Sequence, residues 1–244
     1  MHVPIGDWAM LEQTALWGIT LNTHTRERLS RYLSLVYEAN QRTNLTRVPP
    51  EHAVGRHLAD SLCLLAVHTP PEGARVLDIG TGAGLPGIPL AIVRPDLRMT
   101  LLDSHGKTVQ FLREACAALG IDATVVQARA EGWAHTPEAR EQFDAVIARA
   151  VAKMPILAEL MTPFLKPGGV GLALKSANET DEILQAAPAA QILGATLEMR
   201  TVRFETEQGA VLRAIGLLRK ERPTPKPYPR AWKQILSRPL GVKP

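Results

Sequence analysis

Residues 76–87 read Val-Leu-Asp-Ile-Gly-Thr-Gly-Ala-Gly-Leu-Pro-Gly. Glycines at alternate positions let the backbone turn tightly and approach a ligand closely. Two chemistries compete for such a loop. Gly82, Gly84 and Gly87 satisfy the G-x-G-x-x-G of dinucleotide sites, while Gly80, Gly82 and Gly84 satisfy the G-x-G-x-G of enzymes that use S-adenosylmethionine. Asp78, two residues before Gly80, favours the second. A carboxylate there suits ammonium and sulfonium charges and repels a pyrophosphate. Asp103 follows Gly80 by 23 residues. At a strand end it can accept bonds from both ribose hydroxyls, which marks a nucleoside in either class. Ala128-Arg129-Ala130-Glu131 comes after the next strand-like run, where the Ala130 backbone or the Glu131 carboxylate can read an adenine amino group. The plainer alternative is a glycine turn that only packs a helix on a strand.

The acceptor is constrained by what is missing. The loop Ala148-Arg149-Ala150-Val151 lacks the Asn/Asp-Pro-Pro-aromatic motif that polarises exocyclic amines. Cys63 and Cys116 have no proline neighbour and lie in helical patterns, so neither suits a cytosine-C5 nucleophile. The remaining target needs little activation. Guanine N7 is such an atom: its lone pair is free, no proton leaves, and in-line displacement requires no general base. Arg149 and Lys175 fall at the carboxyl ends of adjacent strands, where such sheets bind ligands. Arg149 can meet guanine O6, a phosphate or the methionine carboxylate, and Lys175 a phosphate. His57 and Asp60 lie one helical turn apart, as a dyad or as a bond docking their helix on the sheet.

Alternating elements must position these residues. Leu29, Tyr32, Leu33, Val36 and Tyr37 form one helical stripe, and a second helix opens at Pro49-Pro50 and carries Val54, Leu58, Leu62 and Leu65. Apolar runs at 74–79, 99–102, 123–126, 143–148 and 170–175 read as strands. They alternate with helical patterns at 86–93, 107–119, 154–165 and 178–193. This alternation predicts a parallel sheet covered on both faces. Runs at 196–205 and 210–218, joined by Thr206-Glu207-Gln208-Gly209, read as an antiparallel pair. The expectation is an α/β, Rossmann-like methyltransferase fold. It has a mostly parallel seven-stranded sheet with an antiparallel C-terminal strand pair and an N-terminal helical extension. Its divisions are a helical extension at 1–72, the cofactor-binding domain at 73–222 and a basic, proline-rich tail at 223–244 with little to pack.

The 244 residues carry a net charge of +4. Residues 219–244 hold eight Lys and Arg against one acid, and the first 60 residues include Arg26, Arg28, Arg31, Arg42, Arg47 and Arg56. A basic tail on a near-neutral body suggests a polyanion partner, with Lys107, Lys226, Arg230, Lys233 and Arg238 as candidate RNA contacts. A solvated tail with no partner is the alternative. The start Met1-His2-Val3-Pro4-Ile5-Gly6-Asp7-Trp8 has no basic stretch followed by an apolar core, so no secretory signal is read there. No apolar run reaches membrane-spanning length. Two cysteines without zinc spacing argue for reduced thiols in a cytoplasmic protein and against a bound metal. A small-molecule methyltransferase and a non-catalytic RNA-binding protein remain open on residues alone.

From about Tyr37 to Leu240 the chain resembles the bacterial small-subunit rRNA guanine-N7 methyltransferases, the glucose-inhibited division protein B family. The resemblance is carried by Asn44-Leu45-Thr46, Arg56-His57-Leu58-Ala59-Asp60-Ser61-Leu62, the loop 78–87, Leu102-Asp103-Ser104, Ala130-Glu131, Ala148-Arg149-Ala150-Val151 and Thr224-Pro225-Lys226-Pro227-Tyr228-Pro229-Arg230. It implies methyl transfer from S-adenosylmethionine to N7 of one guanosine in 16S rRNA near the decoding site, with S-adenosylhomocysteine as product. The partner would be 16S rRNA or the small subunit, met by a monomer. Gly80, Leu85, Asp103, Ser104, His105, Ala130, Glu131 and Arg149 are implied at the cofactor. Asn44, His57, Asp60, Arg149 and Lys175 are the substrate-positioning candidates. Ser176 stands where the family is expected to have glycine.

Overall fold

The computed structural model describes residues 6–241. Residues 1–5, which open the expected helical extension and the non-signal start, and residues 242–244, the end of the expected tail, lie outside the described residues.

A 3-10 helix, Trp8–Trp17, leads into α1, Thr23–Asn40. Asn22 caps α1 by accepting from the Thr25 amide, and Leu29, Tyr32, Leu33 and Val36 are its buried stripe. The second helical run is irregular. A 3-10 turn (Pro50–His52) passes into a π-helical stretch (Val54–Ala59), α2 (Asp60–Leu62) and another 3-10 turn (Cys63–Ala66). The sheet then begins. β1 (Arg75–Ile79), α3 (Gly87–Val93), β2 (Arg98–Asp103), α4 (Gly106–Leu119) and β3 (Thr124–Gln127) alternate. They continue through α5 (Ala130–Trp133), β4 (Phe143–Arg149), α6 (Met154–Met161) and β5 (Leu165–Ser176). α7 (Thr180–Gln185) and α8 (Ala187–Ile192) precede the hairpin of β6 (Ala195–Thr206) and β7 (Gly209–Lys220), and α9 (Trp232–Ser237) follows.

The strand order is β3-β2-β1-β4-β5-β7-β6, with β1 to β5 parallel and β7 antiparallel to both its neighbours. This is the expected seven-stranded methyltransferase sheet. Thr206 pairs with Gly209, so β6 and β7 are joined by only Glu207 and Gln208. A loop that short carries no crossover helix. One face of the β5-β7-β6 end is therefore left for the N-terminal extension. Val54, Leu58 and Leu62 share a core there with Leu172, Leu174, Phe204, Ile215 and Leu217. Glu207 receives the Gly55 amide at 3.1 and 3.2 Å, and Trp17 meets Phe204 edge-on at 6.0 Å. The opposite face is a second core in which α6, α7 and α8 supply Met154, Leu157, Ile183 and Ala189.

Two expectations are corrected. The helix expected at 178–193 is broken at Ala186, because Pro188 in the first turn of α8 has no amide to continue α7. The tail expected to pack little is bound to the domain. Arg140 donates to the carbonyls of Thr224, Pro225 and Tyr228, and His135 Nε2 lies 2.8 Å from the Pro229 carbonyl. Ile235 is fully buried beside Ile156 and Leu160.

Candidate active site

The glycine loop leaves β1 at the carboxyl edge of the sheet. Gly80 has φ +63°, and a Cβ there would lie 2.9 Å from Val151 Cγ2, so the backbone surface stays open only with glycine. Tyr32, fully buried on α1, donates its hydroxyl to the Ala83 carbonyl at 2.8 Å and steadies the loop. Asp78 acts from below. Its Oδ2 accepts from Thr81 Oγ1 at 2.5 Å and from the Gly87 amide at 2.8 Å, tying the loop to α3. Burial pushes its carboxyl up to about 7, against the lowering effect of those two bonds. Asp78 is fully buried and faces neither cleft, which corrects its expected direct contact with the cofactor. Strand alternation explains this: Leu77 and Ile79 enter one core, and Asp78 turns to the other face, beneath α3.

Asp103, the last residue of β2, closes the other side. Its Oδ2 accepts from the Gly82 amide at 3.1 Å. Its Oδ1 accepts from the His105 amide at 2.9 Å and lies 3.1 Å from His105 Nδ1. Gly80, Asp103, Ser104, His105, Ala130 and Glu131 line one cleft of about 280 Å³. Gly82 and Leu85 line a recess beside it, reached past Gly80, together with Thr46, His57 and Arg149. Gly84 lines neither; its φ is +91°, and a Cβ there would clash with Ile88 Cδ1, so the turn into α3 requires glycine.

Beyond the recess lies a polar cleft of about 240 Å³, walled by Arg56, His57, Asp60, Arg149, Lys175, Ser176, Glu179 and Arg213. Asp60 is almost fully buried and binds two guanidinium groups, Arg149 at 2.9 Å and Arg213 at 2.5 Å. Ala150, on this wall, has φ +56°, a strained setting for a residue with a Cβ. His57 does not pair with Asp60. Its Nε2 lies 2.9 Å from Thr46 Oγ1, and burial, aided by Arg149, lowers it to about 3. The dyad is thus replaced by Asp60 docking its helix on the sheet. Asn44 is exposed, and its neighbours Leu45 and Thr46 reach the recess instead. Lys175 is corrected as a phosphate contact. Its buried ammonium donates to Glu179, Glu182 and the Ala152 carbonyl at 2.9, 2.7 and 2.8 Å, which uses all three protons. Ser176 caps the following turn through a reciprocal bond with Glu179, a role glycine cannot fill.

A family model described as GidB, rRNA small subunit methyltransferase G, matches residues 25–210. The chain belongs to this family. Among curated relatives, the ribosomal RNA small subunit methyltransferase G of Lachnoclostridium phytofermentans is 39% identical over 91% of this chain and 93% of its own length. That of Moorella thermoacetica is 40% identical, covering 91% and 93%. Solved structures share the fold at lower identity. A predicted O-methyltransferase from Agrobacterium tumefaciens aligns with TM-score 0.51 and 21% identity over 68% of this chain and 81% of that one. A branched-chain polyamine synthase mutein from Thermus thermophilus aligns with TM-score 0.55 and 18% identity, covering 80% and 64%.

As a member of the GidB family the chain is an S-adenosylmethionine-dependent methyltransferase. The first cleft fits that cofactor. The open Gly80 backbone leaves room for a ligand, and the Asp103 carboxylate at the rim has acceptor capacity beyond its three present partners. Among the described residues no group of three or more His, Cys, Asp or Glu gathers as a metal site, and no helix is long and apolar enough to cross a membrane.

The candidate RNA residues differ in exposure. Lys107, Lys226, Lys233 and Arg238 are exposed. Arg230 is not a free cation: its guanidinium grips fully buried Glu159 at 2.6 Å and the Arg238 carbonyl at 2.9 Å. That corrects its assignment as an RNA contact. Two wall residues escaped the sequence reading. Arg213 is the single charge in the apolar run Ala210–Leu218, which is a readable signal; Trp232 carries no comparable one.

Proposed function

We propose that this chain transfers a methyl group from S-adenosylmethionine to N7 of a guanosine in 16S rRNA, within the small ribosomal subunit. S-adenosylmethionine supplies, when bound, an electrophilic methyl group on a sulfonium. The chain's residues orient and enclose. Gly80 and Asp103 shape the cofactor side, and the Asp60-Arg149-Arg213 cluster with Arg56 forms a cationic wall on the acceptor side. Two carboxylates, Asp60 and Glu179, against three guanidinium groups and Lys175 leave that wall net positive, which suits a guanine O6 or a phosphate.

The observation that carries this reading is the lack of a usable base beside that wall. His57 is a weak base, because burial lowers it to about 3 and its Nε2 is tied to Thr46; Asp60 is held by two arginines, and Glu179 by Lys175 and the Ser176 amide. An acceptor that loses no proton fits such a site, and guanine N7 is one. Thiol nucleophiles are poorly supported, because burial raises Cys63 well above its ordinary value and Cys116 to about 11. The relatives named as small-subunit rRNA methyltransferases support the RNA class. In this reading a cytoplasmic monomer acts on the subunit and releases S-adenosylhomocysteine. The test is to incubate the protein with radiolabelled S-adenosylmethionine and small subunits from cells lacking the gene, then digest the RNA and separate its nucleosides. One labelled peak at 7-methylguanosine is expected. Label on another nucleoside overturns the target atom, and label on none overturns small-subunit RNA as the substrate.

A further inference from the structure

Trp232 belongs to the C-terminal segment, yet its indole lines the same cleft as Gly80 and Asp103. The side chain is half-buried. Its position is set by several fastenings. Ile235, later in α9, is buried against Ile156 and Leu160. Arg230, two residues before Trp232, holds Glu159 with both its amide and its guanidinium. Arg129 lies over the indole, with its guanidinium carbon 5.0 Å from the ring centroid, and donates to Glu131 at 3.1 Å. Trp232, Arg129 and Glu131 thus make one continuous rim on the side of the cleft reached after β3.

We propose that Trp232 is a ligand-contacting residue of the cofactor cleft, its indole forming an aromatic wall against the adenine, with α9 as the clasp that holds it. The inference rests on reading this cleft as the S-adenosylmethionine site. From Asp103 the cleft continues to residues 128–131, toward which the base of a ribose bonded to Asp103 extends, and Arg129 among them lies over the Trp232 ring. An indole suits that place: it offers a flat apolar face to a flat π-system while its far side stays packed on protein. Trp232 therefore recognises the nucleoside half of the ligand and leaves the methionine half to the loop and the recess.

The full-length protein, Trp232→Phe and Trp232→Ala are titrated with S-adenosylhomocysteine and with adenosine, by calorimetry and by tryptophan emission. For Trp232→Ala, affinity is expected to fall by on the order of tenfold for both ligands, because loss of one base–aromatic stack has that effect. Trp232→Phe keeps a flat wall and is expected to bind close to wild type. The emission change that ligand causes in wild type should disappear in Trp232→Phe, which retains Trp8, Trp17 and Trp133. Unchanged affinity in Trp232→Ala, or an unchanged emission response in Trp232→Phe, overturns the proposal. Should Trp232→Ala fail to melt cooperatively, the emission comparison decides alone. Failure of the wild type to bind either ligand overturns the cofactor reading itself, a different result from wild-type binding that ignores Trp232.

Discussion

Arg149, the last residue of β4, donates to Asp60 Oδ2 at 2.9 Å while Arg213 of β7 donates to Asp60 Oδ1 at 2.5 Å. One carboxylate from the N-terminal extension thereby joins two strands of the sheet at the edge where the glycine loop opens. The extension is part of the proposed acceptor wall as well as a cover for the core.

Removing that carboxylate strands two guanidinium groups in a mostly buried place. Asp60→Ala should lower stability by about 3–5 kcal/mol, the usual cost of breaking a buried ion pair from one side. Urea denaturation at neutral pH measures it. Methylation of small subunits should fall by a larger factor than affinity for S-adenosylhomocysteine, since Asp60 is on the acceptor cleft only. Equal losses of both would move Asp60 to the cofactor side.

Asp103→Ala removes acceptors for Gly82 and His105 together with the ribose acceptor. Affinity for S-adenosylhomocysteine should drop by about ten- to a hundredfold, which corresponds to losing one charge-assisted bond of ~1.5–3 kcal/mol. Calorimetry that shows undiminished affinity removes Asp103 from the nucleoside site.

Asp78 and His57 make opposite contributions to the pH dependence of stability. Burial raises the folded Asp78 carboxyl to about 7, from an ordinary value near 4. The native state then holds a proton that the unfolded chain has lost, so this contribution is full below about pH 4 and disappears as pH rises through about 7. His57 is lowered to about 3, so its contribution is full above about pH 6.5 and disappears as pH falls through about 3. Asp78→Asn should therefore gain stability relative to wild type between pH 5 and pH 8, by on the order of 2–4 kcal/mol. Denaturant midpoints at the two pH values check this. A wild type and variant that keep a constant difference would place the Asp78 carboxyl in its ordinary range.

The C-terminal segment should show two separable effects. Arg230→Ala leaves Glu159 buried without its partner and should destabilise by about 3–5 kcal/mol, visible as a lower melting temperature. Exposed Lys226, Lys233 and Arg238 are a different matter. Changing all three to alanine should leave melting almost unchanged and flatten the salt dependence of RNA binding, by about 0.7–0.9 in log–log slope for each phosphate that is no longer neutralised. An unaltered slope would remove these three from the RNA interface.

The features that depend on local chemistry were legible from residue order. Strand–helix alternation and glycine spacing specified the parallel sheet and the cofactor loop, because side-chain period and φ > 0 are local properties. Asp103 was legible for the same reason, standing at a strand end a fixed distance past the loop. Tertiary structure alone decided what the isolated charges do. Lys175, Arg230 and His57 look available in the sequence, but each is held by a partner brought near by folding: Glu179 and Glu182, Glu159, and Thr46. Asp78 was legible as an important acid and misplaced by one layer, because which face of the sheet α3 covers, and so which alternate residues it buries, is decided only on folding. Trp232 reaches the cofactor cleft only because buried Ile235 and the Arg230–Glu159 pair fold the tail back onto α6. Contacts between segments distant in sequence leave no periodic trace, whereas backbone geometry does, and that difference separates what could be read from what had to fold.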